Sequence, residues 1–176
     1  MASEVHEKRL IALLILVERY RKGDEAARER IYRFYLRHLG RVNNWDLVDA
    51  SAHKIVGAHL ESRPRGVLSR LAASSRMWDR RVAVVATWHF IRSGDLKDIF
   101  ALADRLRGDT HDLMHKAIGW MLREAGKRDE RALVEFLRTR HERLPRTTLR
   151  YAIERFPEAR RRAYLRVRGR LRRVPA

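Results

Sequence analysis

Lys116-Ala117-Ile118-Gly119 is a cation followed by three small or apolar residues, and its pattern recurs along the chain. The other copies are Arg9-Leu10-Ile11-Ala12, Arg81-Val82-Ala83-Val84 and Arg150-Tyr151-Ala152-Ile153. The leading cations are 72, 35 and 34 residues apart, the first gap being about two periods of 36, and the skipped copy falls at Trp45-Asp46. The patterns are helical throughout, as over 25–39 with Ile31, Phe34, Tyr35 and Leu39 on one face, and no strand-like alternation stands out. A helical unit recurring about every 35 residues buries its apolar face by stacking on its neighbours.

Glycine and proline divide the rest. Helices are expected over 4–22, ending at Gly23, then over 25–39 and 45–60. After the break Glu61-Ser62-Arg63-Pro64-Arg65-Gly66 come 67–74, then 77–92 up to Ser93-Gly94, 95–107, and 110–126 with Gly126 as its stop. The last three are 129–141, 146–156 after Pro145 and 158–170 after Pro157. Two helices per repeat predict an all-α fold, an α-solenoid of HEAT-like helical repeats, since the tetratricopeptide consensus residues are missing. Residues 1–170 read as a single domain and 171–176 as a basic C-terminal tail.

The 176 residues carry 40 Lys and Arg against 22 Asp and Glu, a net charge of +18. That balance predicts an anionic partner, nucleic acid first. Stacking would align Arg9, Arg81, Lys116 and Arg150 in one column, a groove for a polyanion. The blander reading leaves each cation at the edge of its own helix. From His141 to Ala176 there are 12 Arg and 3 Glu, so this end should reinforce the binding. There is no cysteine, which excludes disulfides, thiolate metal sites and Cys nucleophiles and fits a reducing cytoplasm. The N-terminus lacks a basic secretory n-region, and the apolar run Leu10–Val17 is far shorter than a membrane span, so no membrane association is expected.

The densest chemistry lies in Asn43-Asn44-Trp45-Asp46-Leu47-Val48-Asp49. On a helix starting here, Trp45 and Asp49 share one face, one turn apart. An indole face attracts a cation, and a carboxylate stabilises one through charge. The alternative is a plain helix start: Asn44 as N-cap, Asp46 and Asp49 favouring the dipole, Trp45 as a core anchor. Arg81 opens an apolar helix, so its guanidinium needs a partner, either a phosphate or Asp49. Trp78 and Trp88 read as core. His111 and His115 have zinc-ligand spacing, but position 112 is Asp rather than the Glu of a zincin and no third ligand is evident, so no metal and no cofactor is expected. Gly119 sits inside a helix, where glycine costs about 1 kcal/mol relative to alanine, which is tolerable where something approaches the backbone closely. The chain has neither a phosphate-cradling Gly loop nor a Ser/His/Asp arrangement, which argues against nucleotide hydrolysis and acyl transfer.

Asn43 to Asp49, Trp78-x-x-Arg81-x-Ala83, and Lys116-Ala117-Ile118-Gly119-Trp120-x-Leu122-Arg123-Glu124 together resemble the AlkD-type DNA alkylation-repair glycosylases, over nearly the whole chain from Glu4 to Arg168. The resemblance implies a HEAT-like solenoid cradling duplex DNA and excising cationic N3- and N7-alkylated purines. It implies Asp49 as the catalytic carboxylate, Trp45 and Trp120 as the aromatic pair lining the lesion sugar, and Arg81 as a phosphate-binding cation beside Asp49. Lys54, Lys116, Arg123 and Arg150 are the further expected DNA contacts. Members of that family usually carry about one more repeat before the position of Glu4, so DNA binding is implied more firmly than catalysis. The expected partner is double-stranded DNA with alkylated purines, bound by a cytoplasmic, nucleoid-associated monomer. The competing readings are a non-catalytic binder of duplex or branched DNA and a protein-binding solenoid serving an acidic partner.

Overall fold

The structure, a computed structural model, describes residues 3–166. It is all-helical, with no strand among the described residues. In chain order the helices are α1 (His6–Lys22), α2 (Glu25–Arg37), α3 (Trp45–Ala52), α4 (Gly66–Ala72), α5 (Met77–Ala86), α6 (Trp88–Ser93), α7 (Lys97–Arg105), α8 (Asp112–Arg128), α9 (Glu130–Arg140), α10 (Arg146–Ala152) and α11 (Glu158–Arg166). A 3-10 turn covers Leu39–Arg41, and α3 runs on into a π turn at His53–Gly57. The starts follow capping chemistry: Asp24 accepts from the Ala27 N–H, Asn44 from Trp45 and Asp129 from Ala132.

The helices bearing the four-residue pattern, together with α3 at the skipped position, pack one on the next: α1 on α3, α3 on α5, α5 on α8 and α8 on α10. The intervening helices cover this row, with α2 against α1, α4 against α5, and α6, α7 and α9 against α8. The apolar core runs along the row through Leu13, Leu47, Val48, Val82, Val85, Met114, Ile118, Met121 and Leu149, all buried. Among the described residues, no helix is long and apolar enough to cross a membrane.

Two glycines set the spacing of the row. A Cβ on Gly57 would lie 2.4 Å from the Ala86 carbonyl oxygen. A Cβ on Gly119 would lie 2.5 Å from Tyr151 Cβ and 2.7 Å from the Thr148 carbonyl oxygen, so the close neighbour expected at Gly119 is α10 of the same chain. Gly119→Ala gains about 1 kcal/mol of helix propensity. Against that stands overpacking of backbone on backbone, about 1–3 kcal/mol, and neither α8 nor α10 has a flexible end to give way. Urea denaturation should therefore show a net loss of stability; an unchanged or raised midpoint would mean that α10 moves aside freely.

Two expected boundaries are corrected. The helix expected over 77–92 is interrupted at Thr87, whose hydroxyl donates to the Val84 carbonyl at 2.6 Å and whose N–H reaches that carbonyl at 3.2 Å, tightening one turn. Gly126 does not stop α8, which continues to Arg128. A Cβ at Gly126 would meet Leu133 Cδ2 at 2.5 Å, so the glycine admits a side chain of α9. The tail at 171–176 and the end of the helix expected up to 170 lie outside the described residues.

Candidate functional site

Because α3 begins after Asn44, Trp45 stands on its first turn and Asp49 one turn later. Trp45 is 54% exposed, so it is no core anchor; an indole this open on a structured helix is available to a ligand. Asp49 faces α5, where Arg81 holds it with two parallel bonds, Nε to Oδ1 at 3.0 Å and Nη2 to Oδ2 at 2.9 Å. The remaining guanidinium nitrogen donates to the Leu113 carbonyl of α8 at 2.6 Å. One side chain thus ties three helices of the row together and fixes the carboxylate in plane. Burial pushes the Asp49 carboxyl above its ordinary pKa; the Arg81 hydrogen bonds and charge oppose that, and Asp46 adds to it. Asp46 is itself held by His6 at 2.7 Å.

Trp120 comes from α8 and is half-buried. Its ring meets Trp88 edge to face, with centroids 5.1 Å apart, and Trp88 in turn packs on His53 at 4.6 Å. Burial, with Lys54 and Arg92 nearby, pushes His53 down to about 4, so this backing ring is neutral at pH 7. Trp45, Arg81, Lys116, Trp120, Arg123 and Tyr151 line one cleft of about 290 Å³. The cleft brings two indoles and a phenol together with cations at the rim, and Asp49, which does not line it, meets it through Arg81, which does; such a surface suits a positive centre carried on a polyanion.

The four cations of the sequence pattern have different fates. Arg9 is buried, donating to the Ser3 carbonyl at 3.1 Å, the Glu4 carbonyl at 2.8 Å and Asn43 Oδ1 at 3.4 Å. Arg81 is 5% exposed and committed to Asp49 and Leu113. Lys116 pairs with Asp112 at 2.7 Å, and Arg150 is exposed without a partner among the described residues. The column therefore presents two cations outward, not four: packing turns Arg9 and Arg81 inward, where oxygen acceptors meet them. Arg123 reaches the cleft while paired with Glu154. Lys54 is exposed but lines a separate hollow with Tyr20 and Arg28, apart from the Trp45 cleft. His115 Nε2 bonds the Asp109 carbonyl at 2.5 Å. No group of three or more His, Cys, Asp or Glu placed to hold a metal occurs among the described residues.

Sequence reasoning passed over Tyr151 and Leu113 as site residues. The signal for Tyr151 was Gly119, whose bare backbone lets Tyr151 sit against α8 and reach the cleft. Residues 1–156, which include every residue of the cleft, match the family model described as DNA alkylation repair enzyme. No curated protein matches the chain.

Proposed function

This chain belongs to the DNA alkylation repair enzyme family, and on that premise we propose that it is a glycosylase, cleaving the N-glycosidic bond of cationic N3- and N7-alkylated purines in duplex DNA. The observation that carries the reading is Asp49, held by the Arg81 fork one helical turn from the exposed Trp45, with Arg81 itself lining the cleft that Trp45 and Trp120 share. In the proposed reaction the C1′–N bond breaks and its electron pair goes to the base, neutralising it. Positive charge passes to the deoxyribose, and water then attacks C1′, forming the C1′–O bond and giving up a proton to solvent. Asp49 stabilises that charge, and the indole faces contribute their quadrupoles. A base that is already cationic needs no strong general acid to leave. The row α1–α3–α5–α8–α10 acts in this proposal as the inner layer of a HEAT-like solenoid.

The expected roles shift in one respect. Arg81 has little surface and no free fork left for a phosphate, so it serves as the positioning residue for Asp49. Phosphate contacts fall to Arg150, and to Lys116 and Arg123. The more buried Glu124 lies 3.8 Å from Arg123 and stays in place, whereas Asp112, the partner of Lys116, and Glu154, the nearer partner of Arg123, have side chains 58% and 52% exposed. Surface pairs of this kind are worth about 0–1 kcal/mol, so phosphate can displace the carboxylates.

The test is release of methylated purine from alkylated duplex DNA by the purified protein. No release, with duplex affinity falling steeply as salt rises, would leave a DNA binder without catalysis. No salt-linked affinity would remove the reading altogether. A pH profile is a sharper check. Asp49 acts ionised, so the single-turnover rate should be flat at neutral pH and fall on acidification through its folded pKa. That pKa is raised, so the fall should begin at a higher pH than for an ordinary aspartate. A rate that holds steady to below about pH 3.9 would show that no such carboxylate is used.

A further inference from the structure

Away from the cleft, α1 and α2 carry a second, unlike surface. Ile11, Leu14 and Ile15 of α1 are 57%, 46% and 50% exposed. Beside them a groove of about 930 Å³ opens between the two helices, floored by Leu16, Ala27, Ile31 and Phe34. None of its lining residues lines the Trp45 cleft. Aliphatic side chains this exposed, next to an apolar trough, mark an interaction surface.

The rim says what fits. Arg19, Lys22, Arg30, Arg33 and Arg37 border the groove, with Glu18 the one acidic residue lining it. Lys22 and Arg33 are paired within their own helices, to Glu18 and Glu29. Arg19, Arg30 and Arg37 have no side-chain partner among the described residues. An occupant must bring apolar side chains for the floor and carboxylates for the rim. A second copy of this chain would set arginine against arginine across a two-fold axis. Duplex DNA would satisfy the arginines but offer the apolar floor nothing. We propose that the α1–α2 groove docks an amphipathic helix of a partner protein, apolar along one stripe and flanked by Asp and Glu. Helix-in-groove recognition reads anchors at i, i+3, i+4 and i+7, and the flanking carboxylates would meet the three free guanidinium groups.

The test uses the full chain and three fluorescein-labelled peptides of about 17 residues, the length of α1. One has a Leu stripe at helical spacing with Glu flanks; one has the same composition with the Leu scattered; one has the stripe with Lys flanks. Anisotropy should show the striped acidic peptide binding at least about tenfold more tightly than the scattered one, with the Lys peptide weakest. Ile15→Glu and Arg30→Glu are exposed substitutions that should keep the fold by circular dichroism and each weaken the striped peptide about tenfold or more. Arg30→Glu should also improve the Lys peptide, which a purely structural residue would not do. Equal affinity for the striped and scattered peptides would reduce the effect to bulk charge and overturn the proposal. Displacement of the peptide by duplex DNA, with Arg30→Glu weakening the duplex, would make the groove a nucleic-acid surface instead. Self-association lost on Ile15→Glu would make it a contact between copies, and either result rejects a partner helix.

Discussion

Asp49→Asn is expected to slow single-turnover release of 7-methylguanine from alkylated duplex DNA by about 10²–10³-fold, the loss typical of removing one preorganised electrostatic group. The substitution keeps the size of the side chain and removes the charge that stabilises the sugar cation in the proposed reaction. Its amide oxygen can accept one of the two Arg81 bonds; its NH₂ then faces a guanidinium donor, so the fork is half broken. Duplex affinity should persist or rise slightly, because a negative charge leaves the neighbourhood of Lys116, Arg123 and Arg150, the proposed phosphate contacts. Rate and affinity must be read below the melting range of the variant, since Arg81 loses its counter-charge in the same step. Equal rates for wild type and variant would remove the glycosylase reading as argued.

Much of this geometry could be read from residues in order. The period near 35 predicts the succession α1, α3, α5, α8 and α10, and Pro145, Pro157 and Asn44 mark real helix starts. The break at Thr87 was hidden because residues 82–91 are apolar almost throughout, so no change of period marks the turn. Gly126 misled because a glycine that ends a helix and one that admits Leu133 look alike in sequence; only the neighbouring helix distinguishes them. The same limit applies at the site. Trp45, Asp49, Arg81 and Trp120 could be named from motif and spacing, and Asp49 was one of the two partners foreseen for Arg81. Whether a given cation faces solvent depends on acceptors that the local pattern does not show, such as Asp49 and Leu113, each 32 positions from Arg81. Charge counts cannot show that, so the four-cation column was overestimated.

The pair itself sets up the larger stability effect. Removing one partner of a buried ion pair costs about 3–5 kcal/mol, because the other charge is left without compensation. Here the two removals should be unequal. The Arg81 side chain is 6% exposed against 19% for Asp49, and a guanidinium cannot shed its proton to escape burial. Asp49 can take one up, its pKa being raised already. Asp49→Leu should therefore approach the full cost wherever the wild-type carboxylate is ionised, that is, above its raised folded pKa. Arg81→Met should cost less, and progressively less on acidification, as the stranded carboxylate becomes neutral. The double variant Asp49→Leu/Arg81→Met replaces both charges with apolar groups and gives up only the Arg81 bond to the Leu113 carbonyl, an oxygen inside α8, so it should recover most of the stability while remaining inactive. Urea denaturation of the four proteins closes a double-mutant cycle, and the coupling should reach at least about 2 kcal/mol. Additive costs, or a milder Asp49→Leu than Arg81→Met, would show that Arg81 does not hold Asp49 in place, and the carboxylate would then lack the rigidity on which its electrostatic role depends.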